Sequence, residues 1–181
     1  MNDQKNLALG FTLNGIETKE FAIVSEEFKK GVQLGLNTDI NFGHNIERRQ
    51  IGVIVKFKFS QEDTLLVVIS VICSFQLTED TWEELLDEEQ QKLILPKGFA
   101  SHLGIITIGT IRGILHEKTR KTAYEDLILP PINLTKIIED DVEIDLKKQV
   151  NYDWSTERNG DGYLNKIYLD NNIRNTISKI I

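Results

Sequence analysis

The chain has 181 residues, 40% hydrophobic and 27% charged, with a formal net charge of −7 and a pI near 5.1. That is enough for one domain with a sizeable core and a smaller appendage, and too apolar for a disordered polymer. The acidic balance argues against a general nucleic-acid binder, which needs basic surface to displace counterions from phosphates.

Residues 7–16 alternate in part, and 21–24 continue in extended style after a polar corner, which predicts a first strand. Val32, Leu34 and Leu36 alternate with Gln33, Gly35 and Asn37 and predict a second strand. Residues 37–45, with Asp39, Asn41 and Gly43, read as a loop. Ile51, Val53, Val55, Phe57 and Phe59 give the clearest period-two signal, a third strand. Residues 65–77 make its partner, and the unbroken apolar run at 65–69 implies cover on both faces.

Residues 78–92 read as an acidic helix with Trp82, Leu85, Leu86 and Leu93 at helical spacing and Thr81 as its N-cap. Pro96 can open the next helix, because its missing N–H would be unpaired there anyway, and residues 100–122 contain no further proline. The β-branched run at 105–111 also fits a strand, but the length and a two-sided period favour helix. Phe99, Leu103, Ile106, Thr110 and Ile114 share one face, while Ile105, Ile108, Ile111 and Leu115 gather on the opposite one. A helix apolar on two faces must be covered twice, and a second copy of the protein is the expected second cover. Gly104, Gly109 and Gly113 would let a neighbouring backbone approach closely. Residues 127–134 carry two prolines and should be an extended arm or turn. From about residue 139 the composition turns acidic with a short strand expected, and 163–181 places Leu164, Ile167, Tyr168, Ile173, Ile177 and Ile180 at broadly helical intervals, suggesting a docking helix.

Few residue patterns here fit a catalytic or metal chemistry. Residues 157–168 superficially suggest a Ca²⁺ loop, but its twelfth position is Tyr168 rather than a bidentate carboxylate, so an Asn-Gly, Asp-Gly turn is preferred. His44, His102 and His116 stand at no short ligand spacing from one another or from Cys73, and no phosphate loop or nucleophile motif is present. The sequence therefore predicts no catalytic residue, no metal and no cofactor. The lone Cys73, within an apolar run, reads as a buried hydrophobe and fits a reducing compartment. No signal peptide is seen at the N-terminus and the run at 65–73 is too short to cross a bilayer, so a cytoplasmic protein without membrane insertion is expected.

Three collinear stretches resemble one family. Leu95-Pro96, then Thr110-Ile111-Arg112-Gly113, then Leu129-Pro130-Pro131-Ile132-Asn133-Leu134 resemble the C-terminal half of the SecB export chaperones. Residues 11–20, FTLNGIETKE, resemble that family's first strand, and 32–38, VQLGLNT, its second, so the likeness spans roughly residues 9–138 and leaves 139–181 as an extension of unknown role. The resemblance implies an α+β fold, a four-stranded antiparallel β-sheet with a long helix packed on one face, assembled as a dimer or tetramer through Ile105, Ile108, Ile111 and Leu115. It implies an ATP-independent chaperone that holds unfolded polypeptides in apolar grooves, with Val32, Leu34, Leu36, Leu66 and Val68 as the peptide-binding candidates. Glu20 matches an acidic position through which the family docks the SecA motor, whereas a second such position falls near Ile69. The alternative is a SecB-like interaction or antitoxin-guarding protein without an export role, its tail filling the groove.

Overall fold

The structure, a computed structural model, describes residues 9–147 and, as backbone, 168–180. β1 (Phe11–Ile23), β2 (Leu34–Asn45), β3 (Gln50–Gln61) and β4 (Thr64–Leu77) form an antiparallel sheet in the order β1-β4-β3-β2. A short helix α1 (Glu79–Leu85) follows, then β5 (Leu86–Asp87), β6 (Lys92–Leu95) and the long helix α2 (Lys97–Thr119). After a 3-10 turn at Leu134–Lys136, β7 (Val142–Asp145) pairs with β6, completing a small three-stranded sheet β5-β6-β7. β8 (Tyr168–Ile180) then joins β2 as a fifth strand of the main sheet. The fold is α+β, with α2 packed across one face of the four-stranded antiparallel sheet.

The period-two segment forms β3 as expected. Val53, Val55, Phe57 and Phe59 are fully buried beside Val67, Ile69, Val71 and Cys73 of β4, with Val53 opposite Cys73 and Val55 opposite Val71. β4 is buried almost end to end, as its unbroken apolar run implied.

Elsewhere the structure corrects the sequence. Residues 37–45 are the body of β2 rather than a loop: Thr38, Ile40, Phe42 and His44 face the core, while Asp39 and Asn41 point outward. Polar outward residues disguised a half-buried strand. The acidic helix stops at Leu85, where the chain turns into β5, and it is capped by Thr78, whose Oγ1 accepts from the Thr81 N–H at 3.3 Å. Thr81 Oγ1 instead accepts from the Gly10 N–H at 2.7 Å. The C-terminal segment expected as a docking helix is β8 over 168–180, paired with β2. Strand pairing by β7 and β8 also crosses the expected boundary near residue 138, and Ile144 belongs to the same core as the main sheet.

α2 is long and apolar enough to span a bilayer, yet half of that stretch is buried inside the fold. Its second cover is this chain's own arm, residues 127–138, where a second copy was expected. Leu134 seats on Gly104, where a side chain would stand 2.6 Å from a Leu134 methyl. Arg112 donates from Nε to the Leu129 carbonyl at 3.0 Å and from an Nη to the Pro130 carbonyl at 3.3 Å. Tyr124 closes the other end, its hydroxyl donating to the Ser25 carbonyl and its ring 5.3 Å from that of Phe28.

Leu134→Ala should lower the unfolding free energy by about 3 kcal/mol in a denaturant titration, because it empties a buried seat. Ile128→Ala, at a position 70% exposed, should stay within about 0.5 kcal/mol. Burial, and secondarily the charge of Glu26, raises the Tyr124 phenol above its ordinary range. A raised tyrosine contributes stability that is fully present below its unfolded value and is lost as pH climbs through the folded one. The unfolding free energy should therefore fall above about pH 10, and Tyr124→Phe should flatten that fall.

Candidate functional site

The surroundings of α2 divide it into three sectors. Ala100, Leu103, Thr107 and Ile111 are buried toward the sheet, and Ser101, Gly104, Ile108 and Leu115 complete a continuous buried band that the arm shares. The remaining sector holds Gly98, His102, Ile105, Gly109, Gly113 and His116, all exposed, with Ile106 half-buried at its border. Nothing lies within 4 Å of where a Cβ would stand at Gly98, Gly109 or Gly113.

β1 runs alongside this open sector. At one end the Phe11 ring packs edge-on against Phe75, Phe99 and the imidazole of His102, at 5.8, 5.7 and 5.7 Å between centroids. At the other, Lys118 Nζ stands 5.9 Å from the Phe21 ring centroid. Between those clamps, Leu13 and Ile16 register opposite Phe75 and Cys73 of β4. They are 36% and 53% exposed, and Ile105, on the side of α2 turned away from the sheet, is 50% exposed. The result is an open, partly apolar face along the middle of β1, beside a glycine-rich helix side that also carries His102 and His116. Such a face can bury aliphatic and aromatic side chains of another polypeptide without chemistry on them.

Two bulges explain why β1 is open here. Its register against β4 slips between Leu13 and Gly15 and again between Thr18 and Glu20. Each slip turns the strand and breaks strict alternation, so Ile16 faces the helix side without reaching cover. The sequence signal was present in Leu9, Phe11 and Leu13, but the bulges could not be read from it.

The opposite face of the sheet carries locally balanced charges beside the buried Ile54, Val68 and Ile72. Lys56 Nζ pairs with Glu20 at 2.5 Å and Lys19 Nζ with Glu17 at 2.5 Å, and Asp39 stands opposite Lys56 in register. Glu20, the expected partner-binding carboxylate, is thus tied to a lysine two strands away. At the surface such a pair is worth little stability, but it removes an uncompensated negative charge from the face.

The other expected site residues scatter. Val32 and Leu34 are half-buried where the β1–β2 connection enters β2, Leu36 and Leu66 lie in the core at 2% and 0% exposure, and Val68 faces the far side of β4 between Ala22 and Lys58. They do not form one groove, because period-two alternation sends Leu36 inward and Val68 to the other face. Of the expected interface residues, Ile108, Ile111 and Leu115 are buried in this chain's own core and only Ile105 is exposed. The arm, which the sequence read merely as extended, has taken the place assigned to a second copy.

No protein-family model matches the chain, and no curated protein matches it. Its site must be judged on its own chemistry. Among the described residues, no cluster of three or more His, Cys, Asp or Glu side chains is placed to hold a metal ion. The 157–168 segment weighed as a Ca²⁺ loop lies outside the described residues.

Cys73 sits beneath Ile16 and reports on this face. Burial pushes its thiol above the ordinary range, and hydrogen bonds with Thr107 and Thr110 pull the other way in smaller measure. Held as a neutral thiol in the core, it is a poor nucleophile. In native protein at pH 8, iodoacetamide should label Cys73 at least a hundredfold more slowly than in urea. Labelling at comparable rates would mean that the sheet–helix contact opens readily.

Proposed function

We propose that this chain is an ATP-independent, SecB-like chaperone that holds unfolded or non-native polypeptides on the open face between β1 and α2. The observation that carries the proposal is the exposure of Leu13 and Ile16 on the helix side of β1 and of Ile105 on the outer side of α2, which also carries the open Gly98, Gly109 and Gly113. Leu13 and Ile16 follow one another on the same side of β1 and so present more apolar surface together than scattered exposed residues do. A client bound there gains from buried area and loses little from mismatched polar groups, which suits a binder that must accept many sequences. The resemblance in residues 9–138 points the same way. Self-association through this face, as a dimer or tetramer, belongs to the same proposal, since the face that holds a client also attracts a second copy.

A second reading is a SecB-like interaction or antitoxin-guarding protein with no export role. Two features favour it over export. Glu20 is ion-paired with Lys56, which weakens electrostatic docking of a motor such as SecA on the outer face. In addition, β8 fills the β2 edge with the chain's own segment, so a dedicated partner could be selected against competing chains.

The two readings separate in one experiment. A chemically unfolded test protein is diluted into buffer without nucleotide, and its aggregation is followed by light scattering, with the mass of the chaperone measured in parallel. The expected result is suppression at stoichiometric amounts. Ile16→Asp with Ile105→Asp should weaken it at least tenfold while the melting temperature changes by only a few degrees, because both sites are exposed. No suppression by the unaltered chain would overturn the chaperone proposal and leave the interaction-protein reading.

A further inference from the structure

β8 ends the main sheet, and its packing is against β2 and, beside it, β7. It pairs antiparallel with β2 from Leu34 opposite Ile180 to His44 opposite Tyr168, with register slips near each end. β2 does not depend on this partner. Its other edge is in unbroken register with β3, from Gly35 opposite Ser60 to Asn45 opposite Gln50, and Leu36, Ile40 and Phe42 are anchored in the core. β8 is therefore appended to a strand that would stand without it, and its departure would leave a row of unpaired N–H and C=O groups.

The strand is also a poor one for its place. It carries Asp170, Asn171, Asn172 and Asn175, residue types depleted in strands. Only Ile173, Ile177 and Ile180 stand as aliphatics opposite the Ile40, Leu36 and Leu34 row of β2. A more apolar extended segment would make the same backbone bonds and bury more area. Because β8 belongs to the same chain, it competes for the β2 edge at an effective concentration of order millimolar, which offsets its weak pairing.

We propose that the outer edge of β2 is a strand-accepting site, kept filled in cis by β8, which an extended, aliphatic segment of an unfolded polypeptide displaces. This rests on the client-holding function above and adds a second contact to it, with the β1–α2 face taking side chains and the β2 edge taking backbone. β8 then acts as a threshold. Segments that pair no better than β8 are excluded by the tether, and those richer in aliphatics exchange with it.

The test keeps the full chain. Asn41 and Asn172 are directly opposed across β2 and β8, within the Cα span that a disulfide requires. The variant carrying Asn41→Cys and Asn172→Cys is oxidised to lock β8, and its affinity for fluorescent, reduced and carboxymethylated α-lactalbumin is compared with that of the same protein after reduction. The expected result is a complete cross-link and binding at least tenfold weaker in the locked form, with the reduced form matching the unaltered chain. Failure of the cross-link to form would overturn the proposal at its base. Equal affinity in both forms would overturn it while leaving the chaperone function standing, since the client would be held elsewhere. Absence of binding in both forms would overturn the chaperone function and this proposal together. A doubling of mass on reduction, without probe binding, would assign the edge to a second copy's β8 and overturn the client assignment.

Discussion

Covering α2 from two directions at once is the requirement that shapes this chain. The sheet buries one side, but the helix keeps apolar residues well beyond the width that one sheet covers. The arm at 127–138 supplies the rest, and it can do so because two local problems are solved together. Gly104 has no side chain, so Leu134 can sit against the helix backbone. The arm's prolines carry no N–H and can continue no ladder, and Arg112 supplies donors to the carbonyls of Leu129 and Pro130. The far end is fixed by Tyr124 on the Ser25 carbonyl and by Lys30 Nζ with Asp126 at 2.9 Å. Once the arm is in place, one helix sector and the middle of β1 stay uncovered.

Both outer strands of the main sheet bear marks of edge management. β1 is broken by two bulges and carries Glu17, Lys19 and Glu20, devices that discourage another strand from pairing along its whole length. The β2 side uses a different device, an added strand from its own C-terminus. The difference is physical. Bulges and charges protect an edge permanently, whereas a tethered strand protects it only against weaker competitors.

What could be read from residues alone follows the same physics. β3 and α2 were legible because one period dominates each: Ile51 to Phe59 alternate without interruption, and Pro96 marks a start with no later proline before Thr122. β2 was half-legible. Its inward row of Thr38, Ile40, Phe42 and His44 does alternate, but Asp39, Asn41 and Gly43 on the other face are the residues that turns favour, and they mask the alternation. β8 was misread because Ile173, Ile177 and Ile180 fit a helical interval, while as a strand their spacing works only with the register slip near Leu34. The candidate site was least legible of all. The apolar faces of α2 were visible, but which of them would be left open depends on the arm docking on Gly104, a contact between distant segments that no local pattern records.

The charge distribution bears on how an open apolar face is kept in solution. The outer sheet face pairs Glu17 and Glu20 with lysines, and Glu79 and Glu143 are paired with Arg49 and Lys92, so the excess behind the net charge of −7 lies elsewhere, notably in Asp80, Glu83 and Glu84 of the α1 segment and in Glu139, Asp140 and Asp141. Repulsion between like-charged copies acts over a Debye length of about 8 Å at physiological ionic strength, whereas apolar attraction acts only at contact. Two folded copies therefore approach against their common charge, while an unfolded segment of low or positive charge does not. Raising the salt concentration removes that discrimination and leaves the apolar term unchanged. An acidic body around a partly apolar face thus opposes self-association through it more at low salt than at high, while an unfolded segment of low or positive charge meets no such barrier at either.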